Sequence, residues 1–177
     1  MRTLFVLAVV AVAAYVGYPY LTMYWLDRAL LTDDQKSLEQ LVDFPRVRAD
    51  LKADVNAQVL GKAQEIKEKR PILGTFGQAL TELFAPDMVD SAVDGMVTPE
   101  AILNNPTVVE HRKEDESFAD FVTYAFFAAP TRFTFDLKDP EKLDSPTVTA
   151  VMALDGFRWR VVGVDLPPLG ALLSKVP

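Results

Sequence analysis

Between Arg2 and Asp27 the chain carries no charge: Thr3 to Leu26 are 24 uncharged, mostly apolar residues. About 20 such residues cross a bilayer core as a helix. Tyr15, Tyr18, Tyr20, Tyr24 and Trp25 crowd the far end of the run, where amphipathic rings favour the headgroup zone. Pro19 marks a place to kink or end the lipid-buried part. The pattern predicts an uncleaved membrane anchor over residues 1–26, with Asp27–Leu31 prolonging its helix into water. A cleaved export signal is the rival, because Ala11-Val12-Ala13 offers the small-x-small pattern of a peptidase site. The apolar run continues past that point without a polar junction, which favours the anchor. A buried core helix ranks third, since the run has no polar face.

Beyond residue 26 the pattern is first helical. Thr32 to Gln35 matches a capping box, and Leu38, Leu41 and Val42 follow at helical spacing. A second helix starts in VDFPRVRADLK, with Pro45 in its first turn and Asp43 placed to satisfy free amides. Val47, Leu51, Val55 and Val59 then recur every four residues until Pro71 stops the helix. Phe76, Leu80, Leu83 and Phe84 predict another helix, and Met88, Val89 and Val93 a short one. Thr98-Pro99-Glu100 opens a further turn with good N-terminal chemistry. The run EHRKEDES, Glu110 to Ser117, reads as a solvated loop or strand entry.

The period then changes from helical to alternating. Phe121–Phe127 reads as a strand, Pro130 as part of a connection, and Phe133, Phe135 and Leu137 alternate with polar residues as in a half-buried strand. Near the end, Asp155-Gly156 is a dipeptide favoured in type I′ hairpins. That turn predicts Leu154 opposite Phe157 and Met152 opposite Trp159 on one face, with Arg158 and Arg160 on the other. Pro167–Pro177 reads as an apolar tail capping the sheet. Helices first and a meander second predict an α+β fold, with helices packed on a roughly four-stranded antiparallel sheet. Its order is similar, by analogy only, to the cystatin-like and nuclear-transport-factor-like cone folds.

Charge refines this picture. The net charge is −7. Acidic and basic residues balance between Asp27 and Arg70, whereas Pro71–Pro177 holds sixteen acidic against eight basic residues. Such a surface disfavours nucleic-acid binding. Absence of cysteine removes disulfides, thiolate metal sites and cysteine nucleophiles. With Arg2 on the short side of the apolar run, the positive-inside rule exports residues 27–177.

The stretch YPYLTMYWLDRALLTDDQKSLEQLVDFPRVRADLK, together with the terminal FRWRVVGVDLP, resembles the bacterial family known as domain of unknown function 2939. The likeness runs from Tyr18 to Pro167 in outline and is closest at its two ends. It implies an exported or inner-membrane-anchored bacterial protein, and it brings no activity, cofactor or catalytic residue. Together with the positive-inside reading, the expected place is the inner membrane with the C-terminal domain in the periplasm, or the periplasm after signal cleavage.

The residues themselves offer little chemistry. His111 is the sole histidine, no G-x-S-x-G elbow exists, and Ser117 is the nearest serine. His111 therefore reads as a surface residue. Glu110, His111, Glu114 and Asp115 form a weak candidate for a divalent cation. Asp87, Asp90 and Asp94 share a helical face that reads as solvated. Asp43 reads as a helix cap, with Arg46 or Arg48 as alternative ion-pair partners. No catalytic, cofactor-binding or metal residue is assigned. The candidate interaction patch is Arg158 and Arg160, a surface for an anionic group or for a partner helix. The sequence thus predicts a non-enzymatic, membrane-anchored extracytoplasmic module that binds a protein or small ligand. The alternatives are a carboxylate-dependent hydrolase using a sheet-lined pocket and an assembly protein associating through its anchor.

Overall fold

A computed structural model describes residues 2–69, 86–114, 116–138 and 146–168, with the side chains of residues 59–69 and 86–87 outside that description. Among the described residues lie six helices and one four-stranded antiparallel sheet. The helices are α1 (Arg2–Leu31), α2 (Gln35–Leu41), α3 (Phe44–Lys69), α4 (Pro86–Met96), α5 (Pro99–Leu103) and α6 (Pro106–Glu114). A 3-10 turn at Phe118–Phe121 leads into β1 (Val122–Ala129), β2 (Arg132–Leu137), β3 (Val148–Asp155) and β4 (Arg158–Asp165), which pair in chain order. The predicted helix around Leu80 and the tail beyond residue 168 lie outside the described residues.

The apolar leader and the first core helix are one element. Helix α1 runs unbroken through Pro19, and its residues from Arg2 to Gly17 are exposed. Further along, Pro19, Thr22, Leu26, Asp27 and Ala29 are buried. Packing begins at Tyr15, whose ring stacks on Phe127 and lies near Trp159, and whose hydroxyl donates to Pro130 O. Tyr20 meets Phe133 edge-on and donates to Ala125 O at 3.1 Å. The expectation that Asp27–Leu31 continues into water is therefore corrected. Asp27 and Ala29 are buried because α1 turns that face onto the body of the protein.

Helix α1 ends at Leu31; two residues on, Asp33 takes φ 57°, and Asp34 N–H donates to Ala29 O across the last turn. That geometry moves the cap of α2. Thr32 bonds back to Arg28 O, and Asp34 instead accepts from Ser37 N at 3.0 Å. Gln35 reaches Glu39 and Glu100 rather than its own helix start. The capping box is thus replaced by an aspartate cap two residues on. The other two starts match the sequence reading. Asp43 Oδ1 accepts from Arg46 N at 3.2 Å, and Thr98 Oγ1 from Ala101 N at 3.1 Å with Pro99 in the first turn.

The core sits between α1, α2, the start of α3 and one sheet face. Phe133, Phe135, Met152 and Trp159 are almost fully buried, each contributing about 1.5–3 kcal/mol by burial. Alternation along β2 holds as predicted. The hairpin register does not: Asp155 opposes Arg158 and Leu154 opposes Trp159, leaving Gly156 and Phe157 as the turn. Gly156 takes φ 60°, and a glycine in the first central position is what a type II′ turn requires. Phe157, expected opposite Leu154, is 92% exposed at the tip. The arginines still lie on the face away from Trp159.

Helix α3 guards the sheet edge at β4. Asp43 N–H donates to Val161 O, Asp50 Oδ2 accepts from Val164 N, and Asp54 Oδ2 accepts from Leu166 N. Acidic side chains on one helical face thus occupy edge amides that would otherwise be free to pair with another strand. An extra residue at Val162 shifts the β3–β4 register, and Gly163 follows it against α3. A Cβ on Gly163 would collide with the Asp50 carboxylate.

Candidate functional site

An apolar pocket lies where α1, α6, the 3-10 turn and the far ends of β2 and β3 meet. It is a pocket of about 330 Å³ lined by Leu30, Leu31, Val108, Phe118, Phe121, Leu137, Pro146 and Val148. Asp27, Thr107, His111, Glu116 and Lys138 are its polar members. Ligand sites of small proteins have this composition, an apolar wall with few orienting polar groups.

Each polar member that bonds within the fold has a structural reason to be there. Asp27 Oδ1 accepts from Phe118 N at 2.7 Å and from Ser117 Oγ at 3.2 Å, fastening the 3-10 turn to α1. The run containing His111 is not a solvated loop. Glu110–Glu114 is the second half of α6, and its helical geometry brings the His111 ring edge-on to Phe121 with centroids 4.7 Å apart. His111 Nδ1 lies 2.6 Å from Glu116 Oε2. Arg112, on the same helix, donates to Leu30 O and Leu103 O and pairs with Asp33 at 3.0 Å. One guanidinium therefore ties α1, α5 and α6 into the wall of the pocket.

The residues singled out from the sequence distribute differently from expectation. Around His111 the structure gathers Glu114 and Glu116, with one ligand atom from each within 4.8 Å of the others. Glu110 is exposed and outside that group, and Asp115 lies outside the described residues. A cation there would displace the His111–Glu116 contact, and both glutamates are exposed. Ser117 bonds to Asp27, so His111 and Ser117 form no catalytic pair. Asp90 and Asp94 are not a freely solvated face: Lys52 reaches Asp94 at 2.9 Å and Asp90 at 4.0 Å, and Arg48 reaches Asp94 at 3.5 Å. Arg48 is drawn there, and to Val97 O, instead of to Asp43. The Asp87 side chain lies outside the described residues.

Of the interaction patch, Arg160 is committed to the fold. Its Nη1 pairs with Asp43 Oδ2 at 3.3 Å and its Nη2 donates to Val42 O at 3.0 Å, holding the α2–α3 junction to β4. Arg158 is exposed beside the hairpin tip. A second groove of about 410 Å³, lined by Arg46, Arg132, Val151, Ala153 and Val162 among others, occupies that sheet face. Glu116, Arg112 and the pocket itself are absent from the sequence reading, because nothing local links Leu30, His111 and Leu137.

These features define a mixed α+β protein whose N-terminal apolar helix is long and apolar enough to cross a membrane. The chain belongs to the family described as protein of unknown function DUF2939, whose model matches residues 8–104, more than half of its length. That match spans α1–α5 and ends before the sheet. Comparison with curated proteins and with solved structures finds no match.

Proposed function

We propose that this protein is a single-pass, membrane-anchored binding module of the bacterial envelope. Its N-terminus lies in the cytoplasm and its α+β body in the periplasm, and it takes a small apolar ligand, or an apolar side chain of a partner, into the pocket beside His111. The observation that carries the anchored reading is α1 itself, exposed from Arg2 to Gly17, touching the body at Tyr15 and packed into the core from Tyr18 onward. Membrane segment and folded body share this helix, whereas sequence alone divides them after Leu26. The pocket supports binding rather than carboxylate catalysis: its own carboxylates, Asp27 and Glu116, are engaged by Phe118 N–H and His111, and Asp90 and Asp94 are spent on Arg48 and Lys52 outside it.

A second reading, export with cleavage, draws on one specific observation. Contacts with the body begin at Tyr15, two residues after Ala13, so a cut after Ala13 would spare every packed residue. The apolar continuation that counts against a signal in the sequence is explained by packing in the structure.

Fractionation of a C-terminally tagged chain with N-terminal sequencing separates the two. Intact protein in membranes, its tag digestible from the periplasmic side, supports the anchor; a soluble product beginning near Ala14 supports cleavage. For the pocket, an apolar fluorescent probe should bind the full chain in detergent and be excluded by Val108→Trp. Equal binding by both proteins would refute the pocket as the site.

A further inference from the structure

We infer that the hairpin end of the sheet, with Phe157 at its tip and Arg132 and Arg158 beside it, is seated in the headgroup layer of the membrane that α1 enters. This rests on the anchored reading and goes beyond it, because an anchor could equally hold a body clear of the lipid.

The first argument is length. The stretch free of the body, Arg2–Ala14, is about 20 Å of helix at ~1.5 Å per residue, against a hydrocarbon core of roughly 30 Å. A span about 10 Å short of the core thins the bilayer around it and holds the near end of the body, at Tyr15, down against the lipid surface.

The second argument is direction. Tyr15 touches Pro130 O in the β1–β2 turn, and Asp27 touches Phe118 before β1. Helix α1 therefore runs alongside β1, and its free end projects past the β1–β2 turn. In an antiparallel meander the β3–β4 turn lies at the same end, and Leu154 N–H donating to Thr131 O holds the two turns close. Any bilayer reached by α1 meets these two turns.

The third argument is chemistry. Phe157 is 92% exposed, and no core position calls for an aromatic there. Arg132 and Arg158 are exposed at this end of a chain whose net charge is −7; their acidic neighbours are Asp155 across from Arg158, and Asp50 and Asp165 on the groove side of Arg132. A ring with flanking guanidiniums is suited to a phosphate-bearing interface, the ring entering and the arginines reaching phosphate oxygens.

The chain contains no cysteine, so single labelling sites need no other substitution. Spin labels at Phe157→Cys, Val9→Cys and, at the other end of β3, Thr147→Cys are compared in the full chain. The protein is reconstituted in vesicles of phosphatidylcholine with a minority of phosphatidylglycerol. Expected is a Phe157→Cys label reached by oxygen and shielded from a water-soluble nickel chelate, the reverse at Thr147→Cys, and a lipid signature at Val9→Cys. If Val9→Cys is in lipid while Phe157→Cys is as open to nickel as Thr147→Cys, the seating is wrong and the anchor stands. If Val9→Cys itself is open to nickel, the anchored reading falls and the seating with it. Adding Arg132→Glu and Arg158→Glu should move the Phe157→Cys label towards water; an unchanged ratio overturns the role given to the arginines.

Discussion

Asp27, buried in α1, accepts a 2.7 Å hydrogen bond from the backbone N–H of Phe118, 91 residues further along the chain. The helix that carries the apolar leader thereby positions the 3-10 turn, and with it Phe118 and Phe121 in the pocket wall. Removing the acceptor leaves a part-buried donor without its partner. Asp27→Ala should lose about 1–3 kcal/mol in thermal or urea unfolding, and Asp27→Asn, which keeps an oxygen, clearly less. Equal losses for the two variants would argue against the hydrogen bond as the cause.

Gly163 tests the guarded sheet edge. Gly163→Ala places a methyl group against the Asp50 carboxylate and should cost about 1–3 kcal/mol by breaking its bond to Val164 N. In an Asp50→Ser background the collision is relieved, so the same substitution should cost less. A double-mutant cycle reads the coupling, and additive effects would rule the contact out as the reason.

Arg160 and Arg158 should separate cleanly. Arg160→Ala strips Asp43 of its ion pair and Val42 O of a donor, a loss of roughly 1–3 kcal/mol. Arg158→Ala, at an exposed position, should stay within about 0.5 kcal/mol of the parent. Calorimetry showing the opposite order would overturn the structural assignment of Arg160.

Two aspartates should give opposite pH signatures. Burial, then the neighbouring Asp50, raises the Asp165 carboxyl above its ordinary 3.8, with Asp54 adding and Arg132 opposing. A raised acid favours the folded state most below 3.8 and loses that contribution as pH rises through its folded value. Asp165→Asn should therefore melt above the parent at neutral pH, the gap closing in acid. Asp34 is lowered from 3.8 by its bonds to the Ser37 hydroxyl and amide. Its contribution is present above 3.8 and lost as pH falls through the lowered value. Asp34→Ala should melt below the parent at neutral pH and converge with it in acid. Gaps independent of pH would refute both linkages.

What could be read from the sequence is what depends on neighbours in the chain. The alternation of Phe133 and Phe135 and the caps at Asp43 and Thr98 rest on contacts a few residues apart, and each reappears in the structure. The hairpin slipped by one residue because Asp155-Gly156 and Gly156-Phe157 both satisfy a two-residue turn. In the structure Leu154, not Met152, faces Trp159, a cross-strand pairing that no dipeptide encodes. Asp43 was legible as a cap but not as the partner of Arg160, 117 residues away. The pocket is assembled from side chains of helices, a turn and strand ends that share no local pattern. Its existence required the fold.

Tyr15 and Tyr20 find their acceptors 115 and 105 residues downstream. At about 5–20 residues per second of synthesis, that distance is a delay of roughly 5–20 seconds. Throughout it α1 is greasy, newly made and unclaimed by its own sheet. On the anchored reading proposed above, the order of translation would hand the helix to the insertion machinery before the fold can compete for it, and the same tyrosines would collect the body onto the helix afterwards.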